Sequence, residues 1–355
     1  MRRPLNILSL AVAAVAVAST VACSVPSPSD APAPPDAPNA PVFQHDLGAG
    51  PTPWTHESFD AGQGDFTFAI VGDINGGERD RVFEIGMRQL ALLRPEIVLS
   101  VGDLIDGVTE DSVALNAEWD SFDERADLVP APVFRVSGNH DATAQPLRDI
   151  WNERYGPLHY HFIYRDVLFL VLDTDDYPDE FREHLGTVRN EALPLLYSGE
   201  VAAYQQSEYF LTPERQTGGI GADQAAYFER AIAEHPDVRW TMVFMHKPIW
   251  RADAPTGFDA IEAALADRSY SVFAGHFHRF SHEIRNGHAY TQLATTGGSQ
   301  NPPSESAFDH VTLVRMTTDG PSVAHLRMDG ILDETGHIPA DGDSVCFQTL
   351  KCGEG

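Results

Sequence analysis

The sequence predicts a layered α/β fold with two β-sheets, because short apolar runs recur along the chain, helical stretches separate several of them, and a further group of strands follows. The first group of runs, which end abruptly in Gly, Asp, Asn or His, comprises residues 66–71, 97–101, 133–137, 240–245 and 270–274. Continuous apolar runs of this length are typical of strands that are covered on both faces. The second group, at 168–172, 289–294, 310–316 and 322–328, indicates a second sheet.

Helical patterns occupy residues 79–93 and 222–234, between these strands. The second begins directly after Gly221 and places Phe228 and Ile232 on one inner face, as expected for a helix that packs on a sheet. Strands that alternate with helices form sheets in which ligands bind at the carboxyl ends of the strands.

The stretch 173–221 is long, mixed and turn-rich, and we interpret it as an insertion. Its large aromatic residues are Tyr177, Phe181, Tyr197, Tyr204, Tyr209 and Phe210. Two interpretations are open: these residues pack a small core of their own, or they form a lid or wall beside a binding site.

Composition and charge exclude two classes of protein. The 355 residues include 24 basic and 52 acidic side chains, giving a formal charge of −28. Such a field repels nucleic acid, so we expect no general nucleic-acid binding. After residue 30 no apolar run approaches the ~20 residues of a spanning helix, which excludes a polytopic membrane protein. The sequence gives no indication of the oligomeric state.

The amino-terminal residues 1–22 read as a signal peptide, with Arg2 and Arg3 before an apolar stretch and small residues before Cys23. Cleavage before Cys23 would produce an exported lipoprotein, attached to the membrane only through a lipid on that cysteine. The alternative is an ordinary secreted protein in which Cys23 is incidental. Residues 23–51 are rich in Pro and Ala and would serve as an extended tether, which favours the lipoprotein because the tether would directly follow the lipidated cysteine.

Cysteine content favours the lipoprotein. Cys346 and Cys352 are near neighbours that would pair in an oxidising compartment, which leaves Cys23 as the odd thiol. Lipidation of Cys23 would account for this unpaired thiol. The expected organisation is therefore a globular domain at 52–340 and a tail at 341–355 that carries a disulfide.

Seven polar residues follow five of the predicted strands, and each is a common metal ligand. They are Asp73, Asn75, Asp103, Asn139, His246, His276 and His278. Any one of them alone would be read as a turn former, a helix cap or a surface histidine. Together they form an oxygen and nitrogen ligand set that suits Mn²⁺, Fe or Zn²⁺. Seven ligands exceed the need of one ion and suit a pair ~3.5–4 Å apart, an arrangement used in phosphoester hydrolysis.

These residues lie in motifs that identify a family. The motifs are Gly72-Asp73-Ile74-Asn75, Gly102-Asp103-Leu104-Ile105-Asp106, Gly138-Asn139-His140-Asp141, His246 and Gly275-His276-Phe277-His278. In order and type they resemble the calcineurin-like metallophosphoesterase family, whose pattern is D-x-H, GDxxD, GNH[DE], H and GHxH. The resemblance spans roughly residues 66–300. It implies a four-layer α/β/β/α sandwich of two mixed sheets flanked by helices.

The resemblance also implies a role for each residue. One metal would be held by Asp73, Asp103 and His278, with Asn75 where the family usually has a second His. The other would be held by Asp103 as the bridge, with Asn139, His246 and His276. His140 would not bind metal but would donate a proton to the leaving oxygen, oriented by Asp106, while Asp141 would support the loop.

The implied activity is hydrolysis of a small-molecule phosphoester, either a monoester or a diester, by a hydroxide that bridges the two metals. A purple acid phosphatase is disfavoured because Asp106 stands where that subgroup has a metal-binding Tyr. Asn75 departs from the family pattern and leaves the metal preference open. The alternative function is a catalytically silent, surface-anchored binding lipoprotein with the same fold. Lys247, Trp250 and Arg251, which follow His246, either line the pocket or belong to the scaffold.

Overall fold

The computed structural model describes residues 42–59, 64–253 and 255–353. The predicted signal peptide, Cys23 and the greater part of the predicted tether lie outside these residues. None of the helices within the described ranges has the length and apolar character needed to cross a membrane.

Twelve strands lie in the described part of the chain. They are β1 (Phe43–His45), β2 (Phe66–Val71), β3 (Ile97–Leu99), β4 (Val133–Phe134), β5 (Tyr160–Tyr164), β6 (Val167–Val171), β7 (Trp240–Phe244), β8 (Tyr270–Ala274), β9 (Ser281–Arg285), β10 (His288–Gln292), β11 (His310–Thr317) and β12 (Gly320–Arg327). Every strand predicted from the sequence is present, with ends that differ by a few residues. Three strands, β1, β5 and β9, were not predicted.

Eleven α-helices lie in the same ranges. They are α1 (Val82–Leu93), α2 (Ser112–Ala126), α3 (Asn139–Ala142), α4 (Gln145–Tyr155), α5 (Asp179–Tyr197), α6 (Val201–Tyr204), α7 (Glu208–Leu211), α8 (Glu214–Thr217), α9 (Ala222–Glu234), α10 (Phe258–Ala264) and α11 (Thr349–Cys352). One-turn 3₁₀ helices occur at Ile249–Arg251, Met328–Gly330 and Gly342–Ser344. The predicted helix at 222–234 matches α9 in both bounds.

The strands form two mixed sheets. One has the order β1-β5-β6-β7-β8-β10-β9 and the other the order β12-β11-β2-β3-β4. In the first sheet β6, β7, β8 and β10 run parallel, and in the second β2, β3 and β4 do so. The expected division of strands was wrong, because each sheet draws members from both predicted groups. Apolar runs specify that a strand is buried but do not specify its neighbour.

The two sheets pack face to face through an aromatic core. Phe68 of the five-stranded sheet meets Phe169 of the seven-stranded sheet with ring centroids 5.4 Å apart, and Phe134 stacks on Phe162 at 4.3 Å. Helices α1, α2 and α4 bury their apolar faces against the outer side of the five-stranded sheet. Helices α9 and α10 do the same on the seven-stranded sheet. The predicted α/β/β/α sandwich is confirmed.

The amino-terminal boundary of the domain differs from the expectation. Strand β1 pairs antiparallel with β5, and Phe43 packs on Trp54, Phe134 and Phe162. The expected tether at 23–51 therefore includes residues that belong to the domain, since β1 lies within its carboxyl-terminal part. A single aromatic residue, Phe43, in a mostly polar stretch does not predict an edge strand.

The carboxyl-terminal residues also belong to the domain. Cys346 and Cys352 form a disulfide, and Phe347 is buried with Val82 and Ile85 of α1. The Phe347 carbonyl accepts a hydrogen bond from the Asp309 N–H at 2.8 Å. The segment expected as a separate tail from 341 is thus packed on the helix that follows β2.

Residues 173–221 contain α5 to α8, which pack around a small aromatic core. Tyr177, Tyr204 and Tyr209 are buried there with Leu185 and Val188. Of the two interpretations of these aromatic residues, the first describes their packing. The second also applies in part, because some of them face the site described below.

Helix α1 begins three residues later than predicted, because Arg79 is used for a tertiary contact. Its Nη2 donates to both carboxylate oxygens of Asp309 at 2.5 Å, and Asp309 is fully buried. It also donates to the carbonyls of Gly298 at 3.0 Å and Cys346 at 2.9 Å. One side chain therefore joins the loop after β2 to the start of β11 and to the carboxyl terminus.

We expect Arg79→Ala to lower the free energy of unfolding by about 3–5 kcal/mol, since it leaves a buried carboxylate without its partner. Arg88→Ala is the matched control: Arg88 forms an exposed pair with Glu84 on α1, and its loss should cost only about 0.3–0.5 kcal/mol. Urea unfolding of the two variants makes the comparison, and equal effects would contradict the assigned role of Arg79.

The cost of Arg79→Ala should also depend on pH. Burial raises the pKa of Asp309 to about 6, against the opposing effect of Arg79. Because this folded-state pKa lies above the ordinary value, the ionised carboxylate disfavours folding, and stability falls as pH rises through that range. Without Arg79 the folded-state pKa rises further, so the variant should lose more stability at pH 8 than at pH 5.

Candidate metal centre

The predicted ligands converge at one edge of the sandwich, where strands of both sheets end. Asp73 and Asn75 follow β2, Asp103 follows β3, and Asn139 follows β4. From the other sheet, His246 follows β7, and His276 and His278 follow β8. All seven are at least partly buried.

The backbone at this edge is strained. Asp103, His276 and His278 have positive φ angles of 54°, 74° and 54°, which non-glycine residues rarely adopt. Neighbouring glycines allow the close approach: a Cβ on Gly138 would overlap Asp103 Oδ1, and one on Gly275 would overlap Asp73 Oδ2. Such strain is common where a site needs side chains in fixed directions.

The carboxylate and imidazole ligands form two groups that share one residue. Asp73, Asp103 and His278 form one, and Asp103, His246 and His276 form the other, with ligand atoms in each group within 4.8 Å of one another. Asp103 belongs to both, as expected for a bridging carboxylate. The arrangement fits two metal ions.

Backbone carbonyls orient two of the imidazoles. His246 Nδ1 donates to the Val101 carbonyl at 2.8 Å, so its Nε2 faces Asp103 Oδ2 at 3.2 Å. His278 Nδ1 donates to the Ser299 carbonyl at 2.5 Å, and its Nε2 lies 3.6 Å from Asp73 Oδ1. Because a carbonyl can only accept, each contact places the proton on Nδ1 and leaves the Nε2 lone pair free to bind a metal.

Two buried oxygens support the presence of cations. Asp73 Oδ2 and Asn75 Oδ1 are buried and have no hydrogen-bond partner in the described part of the chain. Asn75 Nδ2 lies near Glu78 Oε2 at 3.3 Å and the Leu104 carbonyl at 3.5 Å, which leaves the amide oxygen as the free acceptor. Buried unpartnered oxygens are costly unless a cation is bound to them. The donor set therefore fits the expected metals.

The electrostatics of the ligands are those of a buried, charged cluster. Burial raises the pKa of Asp73 to about 8. Burial also raises the pKa of Asp103, but the charges of His246 and His140 outweigh this effect and hold the pKa of its carboxyl well below the usual range. Burial opposes protonation of His246, but Asp103 raises its pKa to about 9. Cations that bind here displace protons, so metal affinity should rise with pH.

His140 lies beside the ligand groups without joining them. Its backbone N–H donates to Asp103 Oδ1 at 2.9 Å, and its Nδ1 contacts the Asp106 backbone carbonyl at 2.5 Å. Asp106 therefore orients His140, as expected, and it does so through its main-chain oxygen rather than its carboxylate. Asp106 Oδ1 is itself buried without a partner among the described residues. The sequence motif names the residue but not which of its atoms is used.

Asp141 holds the loops together, as expected. Its Oδ1 accepts from the N–H groups of Leu104 and Ile105 at 2.9 and 3.1 Å, and its Oδ2 accepts from that of Gly138 at 2.7 Å. It thereby joins the loop after β3 to the loop after β4.

A cleft of about 330 Å³ opens onto the candidate centre. Asp103, Asn139, His140, His276 and His278 line it from the strand ends. Residues of the 173–221 segment also line it, namely Leu193, Leu196, Tyr204, Tyr209 and Arg215. Sequence reasoning singled out the two tyrosines but missed Arg215, since a lone arginine in a short helix carries no distinguishing pattern.

Two of the three residues singled out after His246 have structural roles. Lys247 is buried, with Nζ 2.8 Å from Asp175 Oδ1, and Trp250 donates from Nε1 to Glu283 at 2.7 Å. Arg251 lines a neighbouring cavity of about 510 Å³ rather than the cleft at the metal ligands. Of the alternatives for these three residues, the scaffold interpretation fits Lys247 and Trp250.

Comparison with known proteins now identifies the family. A family model described as calcineurin-like phosphoesterase matches residues 66–280, which include every candidate ligand. The chain belongs to this family. A comparison with curated proteins finds no match.

Similar solved structures include two phosphatases. A dimetal phosphatase from Danio rerio is 15% identical, with a TM-score of 0.48, covering 74% of this chain and 98% of its own. A purple acid phosphatase from yellow lupin (Lupinus luteus) seeds is 12% identical, with a TM-score of 0.47, covering 81% and 57%.

Because Asp103 belongs to both ligand groups, Asp103→Asn should prevent both metals from binding. After incubation with Mn²⁺ and removal of the excess, elemental analysis should find two equivalents in the unaltered protein and less than one in this variant. Asp120→Asn on the exposed side of α2 is the control and should retain two. Retention of two equivalents in Asp103→Asn would show that the bridge is misassigned.

Proposed function

We propose that the protein is a metal-dependent hydrolase of small-molecule phosphoesters that works with two metal ions. The observation that carries this proposal is the pair of ligand groups sharing Asp103, with the non-ligating His140 beside them at a cleft. A protein that only bound metal would have no use for a histidine fixed in that position. The cleft volume of about 330 Å³ and the formal charge of −28 support a small substrate rather than nucleic acid.

When bound, a pair of cations lowers the pKa of a water nucleophile and neutralises charge on the phosphoryl oxygens. The ligand atoms are oxygen and nitrogen, which suits Mn²⁺, Fe or Zn²⁺. Asn75 offers a neutral amide oxygen where the family usually has an imidazole nitrogen. We propose that this exchange shifts the metal preference of one site toward ions that favour oxygen.

His140 is the candidate general acid. Because Nδ1 donates to the Asp106 carbonyl, the imidazole is fixed with Nε2 on the side of Gly76, which lines the cleft. A protonated His140 would donate from Nε2 to the leaving oxygen as the phosphorus–oxygen bond breaks. The leaving group departs as a neutral alcohol, and the neutral imidazole regains its proton from water.

His140→Ala should keep both metals but turn over about 10²–10⁴-fold more slowly, the usual contribution of general acid catalysis. The loss should be small for p-nitrophenyl phosphate, whose leaving group needs no proton, and large for alkyl phosphates. Asp106→Asn is the companion variant: it retains the backbone carbonyl and should have a much smaller effect. An equal loss for all leaving groups would contradict proton donation.

The same assay separates the enzyme from the alternative of a silent binding lipoprotein. Asn75, the one departure from the family pattern among the ligands, is the feature that favours the alternative. Protein shown to hold two metals that hydrolyses neither p-nitrophenyl phosphate nor its bis-ester, with or without added Mn²⁺, would support the silent protein.

We further propose that the protein is exported and attached to a membrane through a lipid on Cys23. The signal-like residues 1–22 and the disulfide between Cys346 and Cys352 support this proposal, since disulfides persist in oxidising compartments. Cys23→Ser should release the protein from the membrane fraction into the soluble fraction. Recovery of both forms in the soluble fraction would indicate an ordinary secreted protein.

A further inference from the structure

Arg215 is a cation in the metal cleft that the family motifs do not include. It lies in α8 and lines the same cavity as His140, His276 and His278. Many arginines of this acidic chain bind a carboxylate, as Arg148 does with Asp173 and Arg285 with Glu262. Within the described ranges no carboxylate oxygen forms an ion pair with Arg215. Its charge is therefore available to the cleft.

Aromatic side chains hold the guanidinium in place. It lies over the ring of Phe210, 4.8 Å from the centroid, and 5.5 Å from that of Tyr209. Its Nη2 is 3.4 Å from the Tyr204 hydroxyl. Contacts with ring faces orient an arginine without cancelling its charge, and they leave several N–H donors free.

The segment that carries Arg215 is hydrogen-bonded to a residue that adjoins a candidate metal ligand. The carbonyl of the preceding residue, Glu214, accepts hydrogen bonds from the Tyr177 hydroxyl at 2.9 Å and from Lys247 Nζ at 3.2 Å. Lys247 is almost completely buried and directly follows the ligand His246. The cation is thus pre-positioned relative to the ligands, which is the condition under which a charge acts strongly on a bound anion.

We propose that Arg215 binds an anionic phosphoryl oxygen of the substrate and makes the enzyme selective for phosphomonoesters over phosphodiesters. This inference rests on the proposed hydrolase function. At neutral pH a phosphomonoester carries close to two negative charges, because its second pKa is about 6, whereas a diester carries one. A phosphomonoester has three unesterified phosphoryl oxygens and a diester has two, so the monoester offers one more anionic oxygen for the guanidinium donors of Arg215.

The size of the cleft agrees with this selectivity. Its volume of about 330 Å³ is near the lower end of the range for ligand pockets. Leu193, Leu196 and Tyr209 line it together with Arg215. We expect so small a cleft to accept one organic group on phosphorus more readily than two.

The test compares Arg215→Ala, Arg215→Lys and the unaltered protein on p-nitrophenyl phosphate and bis(p-nitrophenyl) phosphate, which share a leaving group. In Arg215→Ala we expect kcat/KM for the monoester to fall about 10–100-fold, the usual effect of one charge-assisted contact. The value for the diester should change less than about threefold. Arg215→Lys should recover part of the monoester activity. Arg230→Ala, on the exposed face of α9, removes the same charge elsewhere and should change neither value.

Binding of inorganic phosphate gives a second, independent measurement. By titration calorimetry on the Mn²⁺-loaded protein, Arg215→Ala should raise the Kd for phosphate about 10–100-fold, and Arg230→Ala should leave it unchanged. An unchanged phosphate Kd, or an equal loss of activity on both esters, overturns the inference. If the unaltered protein hydrolyses neither ester, the proposed function fails, and the phosphate titration alone then decides the role of Arg215.

Discussion

Asp103 is the point at which the loops of the candidate centre are joined. Its Oδ1 accepts the His140 N–H, its Oδ2 faces His246, and its backbone carbonyl accepts the N–H groups of Ile74 and Asn75 at 3.2 and 2.9 Å. Four segments of chain, from both sheets, therefore meet at one residue. The positive φ of Asp103 directs its side chain inward, and the energy stored there is offset by the contacts that surround it.

The site could be predicted from the sequence to a larger extent than the fold. Asp73, Asp103 and Asn139 directly follow apolar runs, and the carboxyl ends of parallel strands share an edge, so their convergence needed no tertiary information. The division of strands between the sheets did need tertiary information. Phe68 and Phe169 both lie in short apolar runs, yet their strands belong to different sheets. Arg215 and the main-chain role of Asp106 also depend on contacts that no local pattern encodes.

Charge is distributed unevenly between the surface and the cleft. The chain carries an excess of carboxylates, yet the groups that contact the insertion and the metal ligands include buried cations, Lys247 and Arg148. Arg148 pairs with Asp173 at 2.5 Å and Lys247 with Asp175 at 2.8 Å, at the base of the segment that carries Arg215. Loss of one partner from such a buried pair strongly lowers the free energy of unfolding. These pairs therefore hold the segment that lines the cleft in a fixed position relative to the strand ends. Each of these two cations is neutralised by its carboxylate, so the side-chain charge that remains for an anionic substrate is that of Arg215, which forms no ion pair in the described part of the chain.

The contact of Arg79 with the carboxyl terminus has a consequence for the order of assembly. Arg79 anchors the loop that carries Asp73 and Asn75 to Asp309 and to the carbonyl of Cys346, which lie 230 and 267 residues after Arg79 in the sequence. A nascent chain lacking those residues has the ligands of β2 and β3 without the contacts that fix their loop. Contacts between distant parts of a sequence form late because the intervening chain must first be closed into a loop. The loop that carries Asp73 and Asn75 therefore reaches its final geometry only after these distant contacts have formed, and we expect the candidate metal site to be completed late in folding.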